Sequence, residues 1–457
     1  MKQENRMGVA PVPGLILSMS VPIMISMVVQ SMYNIVDSIF VARISEDALT
    51  AASLAYSAQM LQIAVAVGTG VGANALVSRR LGAKQQDAAN EAAATGLVLT
   101  VLSSLVFVIW GLVGSRAFIA MFTDDPQILA DGTAYLQICQ IYAMGIFLAT
   151  FFQRMLQATG RTVSSMLAQM AGALANLILD PIMIFGYFGC PAMGVAGAAV
   201  ATVIGQWLAA LAGFLLHVLT NRELSIRLRG LRLRAENVKA IYRVGAPTIL
   251  TQAFGSIMIA LMNLVLMAFS PTAVAFFGVY FKLQNFLFMP LNGLGQGALP
   301  VVGYNLGAKK LARIEETCRT TIRFGLVLAL LGAAVFMLLP GPLLSAFSAS
   351  EAMKEMGIPA LRIICVSFLP ASVTMMIGYA ISGMGNGMVN MLATAIRQCV
   401  VLVPLAWLLG RLLGRLGGVS AMWFAFWVSE ACALAFALRQ LRRQLSQVRE
   451  RIRRTEA

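Results

Sequence analysis

Two carboxylates stand where a lipid bilayer does not tolerate an unpartnered charge. Asp37 is the only charged residue in about 28 residues from Leu15 to Ala42, a stretch longer than the ~20 residues a helix needs to cross a membrane. Asp180 lies in a similarly apolar run. A charged side chain placed centrally in such a helix costs roughly 2.5 to 3.5 kcal/mol on insertion scales, so each acid calls for a partner, a proton or water. Tyr33 precedes Asp37 by one helical turn, and Asn176 precedes Asp180 in the same way, which sets each pair on one helix face. Thr202 adds a hydroxyl at the end of the run Gly197-Ala-Ala-Val-Ala-Thr202, whose small residues permit close helix contact. Two carboxylates, an amide oxygen and hydroxyls make an oxygen-only set that suits a hard cation or a shared proton and offers nothing to a thiophilic metal. Asp37, Asn176, Asp180 and Thr202 are the positions at which such a cation would be held. Interhelical hydrogen bonding alone is the competing reading for Asn176 and Thr202.

Two prolines belong with these acids. Pro181 follows Asp180, removes a backbone donor and frees the carbonyl one turn back. Pro22 lies about four turns before Asp37 and either bends the first helix or fixes a static kink in it.

The composition places the acids in a membrane protein. Of 457 residues, 59% are hydrophobic and 12% charged, and the mean hydropathy is +0.80; soluble domains average about a quarter charged. The net charge of +15 does not point to nucleic acid, because the basic residues occur in short runs between apolar segments, as positive-inside topology requires. The six cysteines contain no CxxC pair and fall mostly in apolar segments, so neither a disulfide framework nor a zinc site is indicated. The first apolar run is too long for a removable signal peptide.

Apolar runs predict twelve spans beginning near 15, 50, 92, 132, 162, 193, 241, 272, 318, 356, 388 and 416. Most of the 34 Lys and Arg fall at the two termini and in the even-numbered loops, so both termini are expected in the cytoplasm. The division expected is a six-helix bundle over 1–220, a cytoplasmic linker over 221–240, a second six-helix bundle over 241–440 and a basic cytoplasmic tail over 441–457. A repeat supports it. Pro22 and Pro247, Gln59 and Gln284, Phe122 and Phe347, and Gly160 and Gly385 are each 225 residues apart. The glycine triplets at 68, 70, 72 and 293, 295, 297 keep that offset, as do Leu81-Gly82-Ala83-Lys84 and Leu306-Gly307-Ala308-Lys309. The fold class expected is all-α integral membrane, with twelve transmembrane helices in two repeated bundles of the same orientation around a central cleft. The glycine triplets are hinges or close-packing positions.

The second half lacks matching acids: the repeat equivalents of Asp37 and Asp180 are Met262 and Leu405. Its intramembrane polar residues are Lys282, Arg397 and Glu430, and either base is expected to neutralise the acid. The tail from Arg439 onward either lies on anionic membrane lipid or continues the last helix into water.

These residues resemble the multidrug and toxic compound extrusion (MATE) transporters over nearly the whole chain. The resemblance rests on Tyr33 to Asp37, Leu81-Gly82-Ala83-Lys84, Ala158-Thr159-Gly160-Arg161, Asn176-Leu-Ile-Leu-Asp180-Pro181 and Gly194-Val195-Ala196-Gly197-Ala198-Ala199. Phe281-Lys282-Leu283-Gln284 with Met289-Pro290 resembles the bacterial multidrug-exporter branch. The resemblance implies export of bulky, often cationic organic compounds driven by inward proton or sodium flow, with the coupling ion on Tyr33, Asp37, Asn176, Asp180 and Thr202 of the first half, where sodium would be held by Asp37, Asn176, Asp180 and Thr202. It implies no cofactor and a multi-pass protein of the bacterial inner (cytoplasmic) membrane, here expected as a monomer. Acids that make a second-half sodium site in some members are missing from the runs 241–269 and 356–384, which favours coupling through the first half, with proton ahead of sodium. The rival within the wider superfamily is a flippase for lipid-linked sugars or precursors, for whose pyrophosphate only Lys282 and Arg397 are candidates. An intramembrane enzyme is a poor fit, because the single histidine, His217, has no metal-binding partner and no Ser or Cys has a recognisable base.

Overall fold

The computed structural model describes residues 5–226, 233–347 and 349–456, without the side chains of 413–419, 455 and 456. Arg227, Arg229 and Arg232 of the expected linker lie outside the described residues. After a single turn at Arg6–Val9, the first half forms α1 (Val12–Ala42), α2 (Glu46–Gly82), α3 (Gln86–Ile119), α4 (Pro126–Ile141), α5 (Met144–Ala158), α6 (Thr162–Phe185) and α7 (Gly194–Thr220). The second half forms α8 (Ala235–Met267), α9 (Pro271–Gly307), α10 (Leu311–Leu338), α11 (Glu351–Cys365), α12 (Phe368–Gly383), α13 (Gly387–Ala395), α14 (Leu402–Gly417) and α15 (Ala425–Glu456). A π-helical turn at Ile396–Val400 joins α13 to α14. Among the described residues, ten helices are long and apolar enough to cross a membrane, and twelve spans result if α4 with α5 and α11 with α12 each count as one. The protein is an all-helical, multi-pass membrane protein.

The repeat is written in the backbone as well as in the residues. Ser45 and Ser270 cap the starts of α2 and α9 with their side chains, and Asp125 and Ser350 do the same for α4 and α11. Lys84 and Lys309 both adopt the left-handed conformation, with φ of 59° and 57°. Each closes the turn after its Leu-Gly-Ala sequence. Gly160 and Gly385, with φ of 82° and 90°, end α5 and α12 in the same way. Both bent pairs turn by 47°. Since these devices recur at one offset in loops and helix ends, the two halves share a fold and not merely an apolar composition.

The helices gather into two compact units, one of residues 1–7 and 21–249 and the other of 8–20 and 250–457. The boundaries of the units therefore fall inside α1 and α8, beside Pro22 and Pro247. The reason is glycine packing. In the first unit, a Cβ on Gly72 would lie 2.2 Å from the Ile241 carbonyl oxygen, and one on Gly68 would lie 2.4 Å from Ile249 Cγ1. The opening turns of α8 thus press against α2. In the second unit, a Cβ on Gly297 would meet Ser20 Oγ at 2.4 Å, and the Ser20 hydroxyl donates to the Leu294 carbonyl at 3.2 Å. The opening turns of α1 thus press against α9. Of the two expectations for the glycines, close packing is what the structure holds.

The tail continues α15 and does not stand free in water. Leu441, Leu445, Val448 and Ile452 form an apolar stripe packed on Val302, Ile314, Cys318, Ala380 and Met384. Arg449 pairs with Glu315 at 3.0 Å. Gly72→Val places branched carbons against the backbone of α8 and is expected to destabilise the protein by about 1 to 3 kcal/mol. Gly14→Val, where nothing lies within 4 Å of an added Cβ, serves as the control, and thermal unfolding in detergent compares the two.

Candidate functional site

Small residues bring the fifth and sixth spans together. A Cβ on Gly172 of α6 would lie 2.6 Å from the Gly205 carbonyl oxygen of α7, and one on Gly197 would lie 2.3 Å from the Met183 carbonyl oxygen. With the backbones this close, short side chains bridge them. Asn176 Nδ2 donates to Asp180 Oδ1 at 3.3 Å within α6 and to Thr202 Oγ1 at 3.3 Å across to α7. Asn176 and Asp180 are 3% and 1% exposed, so this amide is the hub of a dry network.

The first span completes it. The carboxyl of Asp37 on α1 lies within hydrogen-bonding reach of that of Asp180. Both are acceptors when ionised. Asp37 Oδ1, Asp180 Oδ2 and Asn176 Oδ1 are buried with no hydrogen-bond donor among the described residues. Three surplus acceptor oxygens at one place can be reconciled by a proton shared between the acids or by a small cation. Tyr33 lies one turn from Asp37, in the field of both acids and of Tyr56 and within hydrogen-bonding reach of Gln30. Gln30 in turn accepts from Gln169 of α6. All five sequence-predicted residues thus gather on the facing sides of α1, α6 and α7 within the first unit.

Two neighbours escape the sequence reading. Tyr135 on α4 is buried, lies within hydrogen-bonding reach of Thr202 and sits in the field of Asp37 and Asp180. Cys139, one turn further, is also buried and lies within hydrogen-bonding reach of Gln59 of α2. Their signal in the sequence is weak: two modest polar side chains four residues apart in an apolar span, one facing a glutamine noticed only as a repeat match. Pro181 sits inside α6 without ending it. Its missing N–H leaves the Leu177 carbonyl without its usual helical donor.

The second-half residues do not join this group. Arg397 of the π-helical turn pairs with Glu430 of α15, Nε to Oε1 at 3.3 Å, with side chains 10% and 8% exposed. Lys282 is exposed on α9 and makes no ion pair with Glu430 among the described residues, so of the two bases considered Arg397 is the one that neutralises the acid. Met262 is fully buried where the first half has Asp37.

Removing the amide hub tests the network. Asn176→Ala leaves Asp180 and Thr202 without their shared donor and is expected to lower stability by about 1 to 3 kcal/mol. Thr202→Val is expected to cost less, about 0.5 to 1.5 kcal/mol. A double-mutant cycle by thermal unfolding is expected to give a coupling of at least about 0.5 kcal/mol.

The comparisons with known proteins agree with this architecture. The MatE family profile matches twice, at residues 22–182 and 247–408, so its two starts coincide with the repeat-related prolines. Among curated proteins, the multidrug export protein MepA of Staphylococcus aureus is 26% identical over 410 residues, covering 88% of each chain. An FAD transporter of Shewanella oneidensis is 24% identical, covering 89% of this chain and 90% of its own. Among solved structures, an outward-facing multidrug resistance MATE transporter of the MOP superfamily superposes with a TM-score of 0.91 at 25% identity, covering 98% of this chain and 99% of its own. A MOP superfamily transporter from Pyrococcus furiosus, for which a binding pocket of reverse polarity suggests a different function, gives 0.88 at 24% with the same coverage. A double profile match across most of the chain, laid over a site of paired intramembrane acids, makes this protein a member of the MatE family of transporters, and not an enzyme.

Proposed function

We propose that the protein is a secondary active antiporter that exports bulky, often cationic organic compounds from a bacterial cell, driven by inward flow of protons or sodium through its first half. The observation that carries this reading is the meeting of Asp37 and Asp180 with surplus buried oxygens between them. The acids arrive from different spans, so a proton or ion taken up between them ties α1 to α6, and its release frees them. Carrying one cation through this cycle, and one substrate in the opposite phase, is alternating access. Tyr33, Asn176 and Thr202 position the pair, and Tyr135 extends it. Multidrug export is the activity named for the staphylococcal relative, which supports the substrate class. Both termini are read as cytoplasmic and the working unit as a monomer in the inner membrane.

A lipid-linked sugar flippase fits less well. Its diphosphate needs cations within the membrane, and of the two candidates Arg397 is already engaged by Glu430, which leaves only Lys282.

Efflux of ethidium from proteoliposomes under imposed gradients tests the reading. Asp37→Asn and Asp180→Asn are each expected to reduce gradient-driven efflux at least about tenfold, the effect of losing roughly 1.4 kcal/mol of coupling. A proton-coupled protein is expected to respond to an inward proton gradient with sodium absent, and a sodium-coupled one to the reverse. Undiminished coupled efflux in both variants overturns the assignment. Binding of a lipid diphosphate without efflux of ethidium favours the flippase.

A further inference from the structure

The fifth and sixth spans of the first half carry the buried polar group of Asn176, Asp180 and Thr202. Their repeat counterparts, α13 to α14 with its π-helical turn and α15, also hold a buried polar centre, but a different one. Arg397 Nε approaches Glu430 Oε1 at 3.3 Å with both side chains almost fully buried. The approach is not a two-pronged fork of the kind arginine makes with carboxylates at its strongest. Arg397 Nε and Glu430 Oε2 are both buried without a hydrogen-bond partner. Tyr280 of α9, fully buried, lies in the field of both charges, and its hydroxyl is likewise unpartnered. A further buried donor without a partner, Trp423 Nε1, belongs to the same aromatic cluster, with Trp423 stacked between Phe276 at 5.2 Å and Phe426 at 6.4 Å, and Phe426 against Tyr280 at 5.6 Å.

We propose that Glu430 and Tyr280 form a second cation site, in the second unit, whose resident cation is the guanidinium of Arg397. The oxygen set is smaller than that of the first half: a carboxylate with a spare oxygen, and an unpartnered tyrosine hydroxyl in its field. What differs is the source of the positive charge. Two acids in the first half need a proton or ion from solution. The single acid in the second half is met by a charge tethered to the chain, so this half is held permanently in the electrostatic state that the first half reaches only when loaded. The π-helical turn fits this role. A π turn inserts one residue into a helix and re-aims the side chains on it, and here that turn carries Arg397. The titratable and charged groups facing Glu430 are Arg397 and Tyr280, with the Cys365 thiol of α11 facing Tyr280.

Replacing the tethered charge should therefore create a dependence on free cations that the native second half lacks. The measurement is the Tm of purified full-length protein in detergent, in sodium chloride against choline chloride, at pH 8.5 and pH 6. The background is Asp37→Asn with Asp180→Asn, which removes the first-half acids, so the outcome does not rest on the transport reading. Adding Arg397→Gln is expected to lower the Tm in choline at pH 8.5. Sodium, or acid, then restores roughly 2 to 4 °C; restoration by sodium identifies a metal-ion site, and restoration by acid alone a proton site. Adding Glu430→Gln as well abolishes the response. An equal Tm in all four conditions, or a response that survives Glu430→Gln, overturns the proposal. Should Arg397→Gln fail to fold, Glu430→Gln in the same background gives the mirror test. The stranded guanidinium is expected to make the Tm higher in chloride than in gluconate, and indifference to the anion overturns the proposal.

Discussion

The structure depends on the cost of placing negative charge in a low-dielectric slab. A carboxylate there has few stable solutions: a proton, a counter-ion or water. The chain uses two of them in its two halves. In the first, Asp37 and Asp180 lie within reach of each other and leave surplus buried acceptor oxygens, which a proton or a counter-ion would satisfy. In the second, Glu430 is met by Arg397. Much of the surrounding sequence serves to make these encounters close. Gly172, Gly197 and Gly205 let α6 and α7 approach until an amide spans them, and the π-helical turn brings an arginine to the last helix.

Symmetry of fold thus coexists with asymmetry of chemistry. The caps at Ser45 and Ser270, the left-handed lysines 84 and 309, and the two 47° bends are common property of both copies. They set where helices begin, end and turn, and they tolerate little change because each answers a backbone requirement. The polar residues at the site positions answer no such requirement, so Asp37 gives way to Met262 and Asp180 to Leu405 without disturbing the helices that carry them.

Much of this was legible in the sequence, for physical reasons. Long apolar runs have one solution in lipid, which fixed the helical class and the spans. Acids in such runs are so costly that Asp37 and Asp180 identify themselves, and one-turn spacing adds Tyr33 and Asn176. Tyr135 was not legible, because a tyrosine in an apolar span is cheap and common, and only the fold brings it to Thr202. The sequence alone does not choose between Lys282 and Arg397 as the partner of Glu430, since the choice turns on which helix face each base occupies and on a π-helical turn that shifts that face. The tail was ambiguous for a similar reason. Its arginines are conspicuous, while the stripe of Leu441, Leu445, Val448 and Ile452 between them decides where it lies.

The crossing of α1 and α8 from one unit to the other bears on how the chain is put together. The charged connection after α7 looks like a seam, yet the opening turns of α8 complete the packing of α2, and the opening turns of α1 complete that of α9. A polypeptide severed at that connection would yield two fragments, each holding a piece the other requires. The glycine ridge of α2 is covered only when the chain as far as Ile249 is present. Each compact unit is therefore built from chain on both sides of the connection and not from one uninterrupted half of the sequence.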